Sequence, residues 1–258
     1  MKKIPNKNDV YYYSCLSVDT TNNTLLAIEA DSGDHVNYLN SFNMATGQET
    51  HVMDVSPVAM VSGDGYTYDD RNRVLYTLTL DWDPTPSRTG YVDGILSTGY
   101  RNILNIINIK GKTIKRMNIS CEYKLVAIHY DPTDGNIYAF EYKSGWMSSQ
   151  NINDQPQNQT VYVGKINLET QTFERLVSVV VPFYSSDEFI TAYSPMRGYY
   201  VIAWPEPDYD PYITKMNGVL QVIDVRNATV LYNSQVKGWN MRDKTSSLWI
   251  IIDMHFSD

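Results

Sequence analysis

The sequence predicts an all-β fold built from repeated antiparallel ribbons. Apolar and polar residues alternate over short stretches such as 77–80 and 219–222, the period-two pattern of half-buried strands. Turn-forming Asp, Asn and Gly residues separate these stretches. Because no apolar period of 3.6 residues lasts more than a turn or two, helices are not expected.

The composition is that of a packed globular protein. Hydrophobic residues make up 43% of the 258 positions, and 21 tyrosines accompany them. Disordered chains are poor in aromatic residues, so disorder is excluded as the general state. The densest apolar stretches, 177–181 and 248–252, are far shorter than the roughly 20 residues of a membrane-spanning helix. The sequence therefore predicts one soluble domain.

The net charge of −8 predicts that nucleic acids and anionic membranes are not partners, because long-range electrostatics would repel them. One basic group is expected to be a solvated edge of a predicted hairpin: Lys110, Lys112, Lys115 and Arg116.

Cysteine content and the first residues bear on the compartment. Two cysteines, Cys15 and Cys121, cannot build a disulfide framework and are expected to be small core residues. Residues 1–10 contain no apolar stretch of the kind a secretory leader needs. We therefore expect a cytoplasmic protein.

A repeated motif divides the chain. Five segments join a turn rich in Asp, Asn and Gly to a short apolar strand. The strands begin at Leu25, Leu75, Ile137, Tyr199 and Leu248. The spacing is about 50 to 60 residues, which is the range of propeller repeats.

A second motif interleaves with the first, and each unit therefore contains two hairpins. It is a strand that ends in an apolar-Asn/Asp-apolar triplet followed by a short turn, and it occurs at 41–47, 106–111, 165–170 and 222–227. We label the strands of a unit a, b, c and d. The predicted units are about 11–56, 57–120, 121–182, 183–236 and a final hairpin at 237–258.

Four-stranded antiparallel units repeated about an axis resemble the blades of a β-propeller, since radial closure protects sheet edges. The resemblance is to an architecture, because the repeats show no Trp-Asp ending and no kelch di-glycine. It implies about five blades, four of them complete, and residues 1–10 are one source of a closing strand. A four-bladed ring with an extra hairpin, a ring completed from elsewhere, and a two-layer β-sandwich stay open as alternatives.

Loop lengths predict where a site lies. The a–b and c–d turns are short, whereas the b–c loops run over about 31–36, 81–100, 143–160 and 205–217. In an up-and-down blade, the b–c loops and the d–a links leave from the same face. Loops on a rigid scaffold commonly carry binding residues, so this face is the predicted site.

Aromatic residues near this face are the predicted ligand-binding set: Trp82, Trp146, Trp204, Tyr209, Tyr212 and Trp239. Flat rings beside carboxylates suit a sugar, an aromatic ligand or a cationic amine. The alternative is that tryptophans at strand ends fill the gaps between blades.

Acidic residues supply the catalytic alternative. The candidates are Asp81, Asp83, Glu206 and Asp208, with His255 as a base. Glycosidic chemistry needs two carboxyl groups facing each other across a bond. His129 alternates within a predicted a strand and is expected to be structural. Carboxylates could also hold calcium, but no Asp-x-Asp-x-Asp-Gly loop is present, so no metal or cofactor is predicted.

Three functional hypotheses follow. The first is a binding module for a small polar or aromatic ligand, a carbohydrate or a protein partner. The second is a hydrolase or lyase acting on a carbohydrate or other small molecule at the same face. The third is a self-assembling structural protein, a homo-oligomer joined through its half-unit and exposed strand edges.

Overall fold

The computed structural model describes residues 12–30, 37–55, 65–82, 100–142, 158–182, 190–205 and 216–239. These residues form sixteen strands and no helix, so none of them belongs to a helix that could cross a membrane. The strands of the first two sheets are β1 Tyr12–Asp19, β2 Thr24–Ala30, β3 Asn37–Asn43, β4 Glu49–Asp54, β5 Tyr66–Asp69, β6 Val74–Trp82, β7 Tyr100–Asn108 and β8 Thr113–Ile119. Those of the other two are β9 Lys124–Tyr130, β10 Ile137–Tyr142, β11 Asn158–Asn167, β12 Thr172–Pro182, β13 Ile190–Ser194, β14 Tyr199–Pro205, β15 Met216–Asp224 and β16 Thr229–Trp239.

The strands form four antiparallel sheets, each with four strands in chain order. The first strands of successive sheets, β1, β5, β9 and β13, contact one another in that order. The sheets are therefore blades, numbered 1 to 4, side by side around their inner strands.

This arrangement confirms the predicted all-β propeller and excludes the β-sandwich. The described residues form four blades. The hairpin predicted around Leu248 lies outside them.

Apolar clusters fill the junctions between blades. Alternation within the middle strands puts side chains on both sheet faces, and the facing sides of successive described blades meet. The junction of blades 1 and 2 contains Leu26, Ile28, Leu39, Leu75 and Ile107, and the junction of blades 2 and 3 contains Leu78, Leu104, Leu125, Ile128 and Ile137. The junction of blades 3 and 4 contains Phe140, Val163, Tyr200, Ile202 and Trp204. Burial of each such side chain contributes about 1.5–3 kcal/mol to the free energy of unfolding.

Side-chain oxygens at strand ends hold the short turns and explain the two sequence motifs. The last residue of each c strand accepts hydrogen bonds from backbone N–H groups two or three residues later, and these residues are Asn43, Asn108, Asn167 and Asp224. Asp19, Asp69 and Asp131 do the same after a strands. These Asx turns fix the start of each return strand.

A residue with positive φ completes each of the eight short turns between described strands. The a–b turns have Asn23, Arg73, Gly135 and Gly198 in this conformation, and the c–d turns have Gly47, Lys112, Gln171 and Ala228. Only glycine adopts it without a steric cost from Cβ. Ala228 at φ 51° and Gly47 at φ 71° occupy equivalent turn positions. The alanine has a steric cost there, whereas the glycine has none.

We expect Ala228→Gly to raise the free energy of unfolding by roughly 0.5–1 kcal/mol, because it removes the Cβ strain. Gly47→Ala should lower it by about 1 kcal/mol. Urea unfolding of the two variants and the wild type measures both effects. A loss of stability in Ala228→Gly would contradict the argument.

Candidate functional site

The strand order gives the molecule two different ends. The a–b and c–d turns are short and lie at one end of every blade, here called the turn end. The b–c connections, 31–36, 83–99, 143–157 and 206–215, leave from the opposite end of the strands, here called the loop end. The d–a links start there too, because d strands run in the same direction as b strands.

Four of the predicted site residues lie in described strands at the loop end. Asp81 and Trp82 end β6, Trp204 is next to last in β14, and Trp239 ends β16. The backbone of Trp82 pairs with Tyr100, and that of Trp239 with Met216. The other predicted residues, Asp83, Trp146, Glu206, Asp208, Tyr209, Tyr212 and His255, lie outside the described residues.

Trp204 lies in the core rather than on an exposed surface. Its side chain is 1% exposed, and its ring meets Phe140 edge-on at a centroid distance of 5.8 Å. Alternation along β14 puts Tyr200, Ile202 and Trp204 on the same face, which packs against blade 3. The ring therefore does not present a face to solvent, contrary to the expectation for a ligand-binding residue.

The link from β8 to β9, residues 120–123, is the described d–a link at the loop end. Nδ2 of Asn102 donates to the carbonyl of Tyr123 at 3.0 Å, and Leu125 N–H donates to Oδ1 of Asn102 at 2.8 Å. Oε1 of Glu141 accepts from the N–H groups of Glu122 and Tyr123 at 2.7 and 2.8 Å. Side chains of both neighbouring blades thus hold the link.

Arg175 completes this group, which we call the link cluster: Asn102, Glu122, Glu141, Tyr162 and Arg175. Its Nε lies 2.6 Å from Glu141, which is fully buried, and its Nη2 lies 2.8 Å from the more exposed Glu122. The guanidinium carbon lies 3.9 Å from the centroid of the Tyr162 ring. The hydrogen bond to Glu141 is the main cause of a raised Arg175 pKa.

The link cluster was not predicted, because Glu141 and Arg175 are far apart in sequence. One sequence feature could have found it: Glu141 is the single charged residue of β10, an otherwise apolar and aromatic strand that is buried throughout. A buried carboxylate needs a partner, so a cation elsewhere in the chain was to be expected. Its chemistry is structural, since the ion pairs and backbone hydrogen bonds occupy both carboxylate oxygens.

Cys121 lies beside the link cluster. Its Sγ is 2.9 Å from Nδ2 of Asn102 and 3.2 Å from the carbonyl of Tyr123. Burial is the main cause that raises its pKa to about 12. The thiol stays protonated near neutral pH and is a poor nucleophile.

At the turn end, polar contacts join each of the first three blades to the next one. Arg73 of blade 2 binds Asp19 of blade 1 at 3.1 Å. The N–H of Tyr130 in blade 3 donates to Oγ1 of Thr67 in blade 2 at 2.9 Å.

Asp131 makes the corresponding contact between blades 3 and 4. It is fully buried, and its Oδ2 accepts from the Tyr193 hydroxyl at 2.7 Å and from Arg226 at 2.9 Å. Burial raises the Asp131 pKa, but hydrogen bonds from Thr133, Tyr193 and Arg226 outweigh it, and the net pKa is lowered. The carboxylate therefore stays charged and paired, which is a structural role.

His129 lies at the same junction and has the structural role that the sequence predicts. Its Nε2 is 3.0 Å from Oγ1 of Thr191, and its ring stacks on Tyr193 at 6.0 Å and meets Tyr200 edge-on at 5.2 Å. Burial lowers its pKa to about 4. The imidazole is thus neutral at physiological pH.

The described residues contain no group of three or more His, Cys, Asp and Glu side chains that could hold a metal ion. Asp83, Glu206 and Asp208 lie outside this part of the chain. The predicted carboxylate pair is therefore untested.

Comparison with known proteins adds a fold-level similarity. No protein-family model matches the chain, and no curated protein matches its sequence. The structure of the Dos1 propeller is 13% identical with a TM-score of 0.48, over 88% of this chain and 48% of that one. Oligogalacturonate lyase in complex with manganese is 11% identical with a TM-score of 0.45, and the match covers 92% of this chain and 55% of that one. The β-propeller domain of the Trilobed protease from Pyrococcus furiosus is 7% identical with a TM-score of 0.42, and the match covers 89% of this chain and 58% of that one.

The chain spans about half the length of these three structures. At such low identities the similarity concerns the fold and assigns no activity.

We expect Trp204→Ala to lower the free energy of unfolding by about 3–5 kcal/mol, because it opens a cavity between blades 3 and 4. Met196→Ala is the matched control, since Met196 is 80% exposed in a turn and should change stability by less than about 0.5 kcal/mol. Urea unfolding measures both. If Trp204→Ala were as stable as the control, its core role would be wrong.

His129 predicts a pH-dependent stability. The unfolded chain takes up its proton near pH 6.5, whereas the folded chain resists protonation down to about pH 4. Stability is therefore fully present above about pH 6.5, falls by at most about 1.4 kcal/mol per pH unit as the pH drops, and levels off below about pH 4.

His129→Phe should flatten this dependence over the same range, although its stability at neutral pH is lower because the bond to Thr191 is lost. Met196→Ala is the control, since it removes no titratable group and should leave the dependence as in the wild type. The free energy of unfolding, measured in urea across this pH range, tests the prediction. Equal slopes in His129→Phe and the wild type would contradict the prediction.

Proposed function

We propose that the protein is a binding or interaction module that recognises a small polar or aromatic ligand, a carbohydrate, or a protein partner at its loop end. The observation that carries the proposal is the difference between the two ends. At the turn end, Asx turns and contacts between blades engage the polar side chains described above. The long b–c connections all depart from the other end. Variable connections on a rigid scaffold are suited to recognition.

The residues proposed to contact the ligand are aromatic: Trp82, Trp146, Tyr209, Tyr212 and Trp239. Trp204 is left out because its ring is buried. Aromatic faces contribute apolar stacking to sugars and aromatic ligands, and cation–π attraction to amines. Acidic neighbours such as Asp81, Asp83, Glu206 and Asp208 would accept hydrogen bonds from hydroxyl or ammonium groups.

The described charged groups in and next to the link 120–123 are engaged in fixed interactions, so the proposal assigns them no catalytic role. Glu122 and Glu141 both pair with Arg175. Nζ of Lys124 lies 3.3 Å from the Tyr142 hydroxyl and 5.6 Å from the ring centroid. A general acid or base must exchange its proton near the operating pH, and paired groups of this kind do not suit that role.

Calorimetric titration with three probes tests the proposal: a neutral oligosaccharide, choline and an aromatic amine. We expect at least one to bind. Trp82→Ala and Trp146→Ala should each weaken that probe about tenfold or more while the protein stays folded. Met196→Ala, at the turn end, is the control and should bind as the wild type does.

Three results would contradict the proposal. The first is that none of the probes binds, and neither does any protein partner in a quantitative assay. The second is that Met196→Ala weakens binding as much as the tryptophan variants. The third is a turnover that Asp81→Asn or Glu206→Gln abolishes without loss of stability, which would favour the hydrolase or lyase hypothesis.

A further inference from the structure

The outer edge of blade 4 differs from the outer edges of the other three blades. Outer strands expose backbone N–H and C=O groups that can pair with another chain, and natural proteins protect such edges with charges. Each of the other outer strands carries two charged residues: Glu49 and Asp54 at the ends of β4, Lys115 and Arg116 in β8, and Glu174 and Arg175 in the first half of β12. β16 is 11 residues long, yet residues 227–236 include no charged side chain.

This edge also exposes apolar surface. Val230, Leu231 and Tyr232 are 41%, 49% and 46% exposed, and residues 233–235 are exposed as well. Among the described strands, β16 pairs only with β15. The pairing is regular from Tyr232 to Val236, with the irregularities on either side of this stretch. A regular, uncharged and partly apolar edge is a template for strand addition.

The stretch 232–236 is complementary to itself in antiparallel pairing. If two copies meet about a two-fold axis at Ser234, then Ser234 faces Ser234, Asn233 faces Gln235, and Tyr232 faces Val236. Aromatic and β-branched residues are a favourable cross-strand pair, and no like charges are brought together. An isologous contact of this kind closes a dimer.

We propose that the protein forms a homodimer through antiparallel pairing of two β16 strands centred on Ser234, which joins two four-stranded sheets into one of eight strands. Charge favours a second copy at this edge over the others. Each chain carries a net charge of −8, so two copies repel each other in general. The repulsion is least where the facing segments carry few charges. β16 carries one, Lys237, which faces Leu231 in this register, whereas β4, β8 and β12 carry two each. This inference is independent of the proposed ligand-binding function, which concerns the loop end.

Sedimentation at increasing concentration tests the dimer. We expect the wild type to approach twice its chain mass of 29.6 kDa. Ser234→Lys would place two ammonium groups opposite each other and should make the protein monomeric. Ser178→Lys is the matched control, because Ser178 is exposed on β12, another outer strand, and this variant should remain dimeric.

A charge exchange separates loss of pairing from loss of folding. Ser234→Glu alone should also be monomeric, whereas an equal mixture with Ser234→Lys should restore the dimer, since opposite charges then meet at the axis. A wild type that stays monomeric at all concentrations would overturn the proposal, as would a Ser234→Lys variant that dimerises as well as the wild type. A mixture that shows no recovery would overturn the assigned register.

Disulfide formation gives a second measure of the register. Opposed residues of antiparallel strands are close enough for a disulfide, so Ser234→Cys should oxidise to a covalent dimer. Ser178→Cys is the control and should not. The native thiols interfere little, because Cys15 is buried and Cys121 is partly buried. Equal cross-linking of the two variants would contradict pairing through β16.

Discussion

Polar contacts at the ends of the inner strands hold the propeller together. Asp19 accepts hydrogen bonds from Asn22 in its own turn and from Arg73 in the next blade. Asp131 accepts hydrogen bonds from Thr133 of its own turn and from Tyr193 and Arg226 of blade 4. A buried carboxylate is costly unless several donors satisfy it, so one group fixes both the hairpin and the position of the neighbouring blade.

The loop end is held in a different way. There, the link cluster fastens the chain as it passes from blade 2 to blade 3, with Glu141 as the buried acceptor and Arg175 as the cation stacked on Tyr162. Arg175 pairs with both carboxylates of the cluster, so these charged groups already have partners within the protein. A ligand at this end would thus meet side chains of the connections rather than those of the link cluster.

The fold could be predicted because its determinants are local in sequence. The residues that form the turns, such as Asp69 and Asn108, lie within a few positions of the backbone groups they bind, and the pattern repeats in each unit. For Trp204 the sequence left two roles open, ligand binding and filling the gap between blades, because its burial depends on which face of β14 meets blade 3. The structure shows the second role. A shift of one residue exchanges the two faces, and strand-end position does not reveal it. The link cluster joins residues from four strands and a link, so only the tertiary structure brings them together.

The two ends also differ in how strongly a substitution affects the stability of the fold. Side chains of the turn end take part in hairpin formation and in blade packing at once, so a change at Asp131 or Arg226 alters both. A b–c connection leaves from the end of two strands that are already paired along their length, and its residues can change without loss of that pairing. Substitutions that affect recognition alone are therefore to be sought in these connections. Substitutions at Asp131 or Arg226 would reduce binding only to the extent that the protein unfolds.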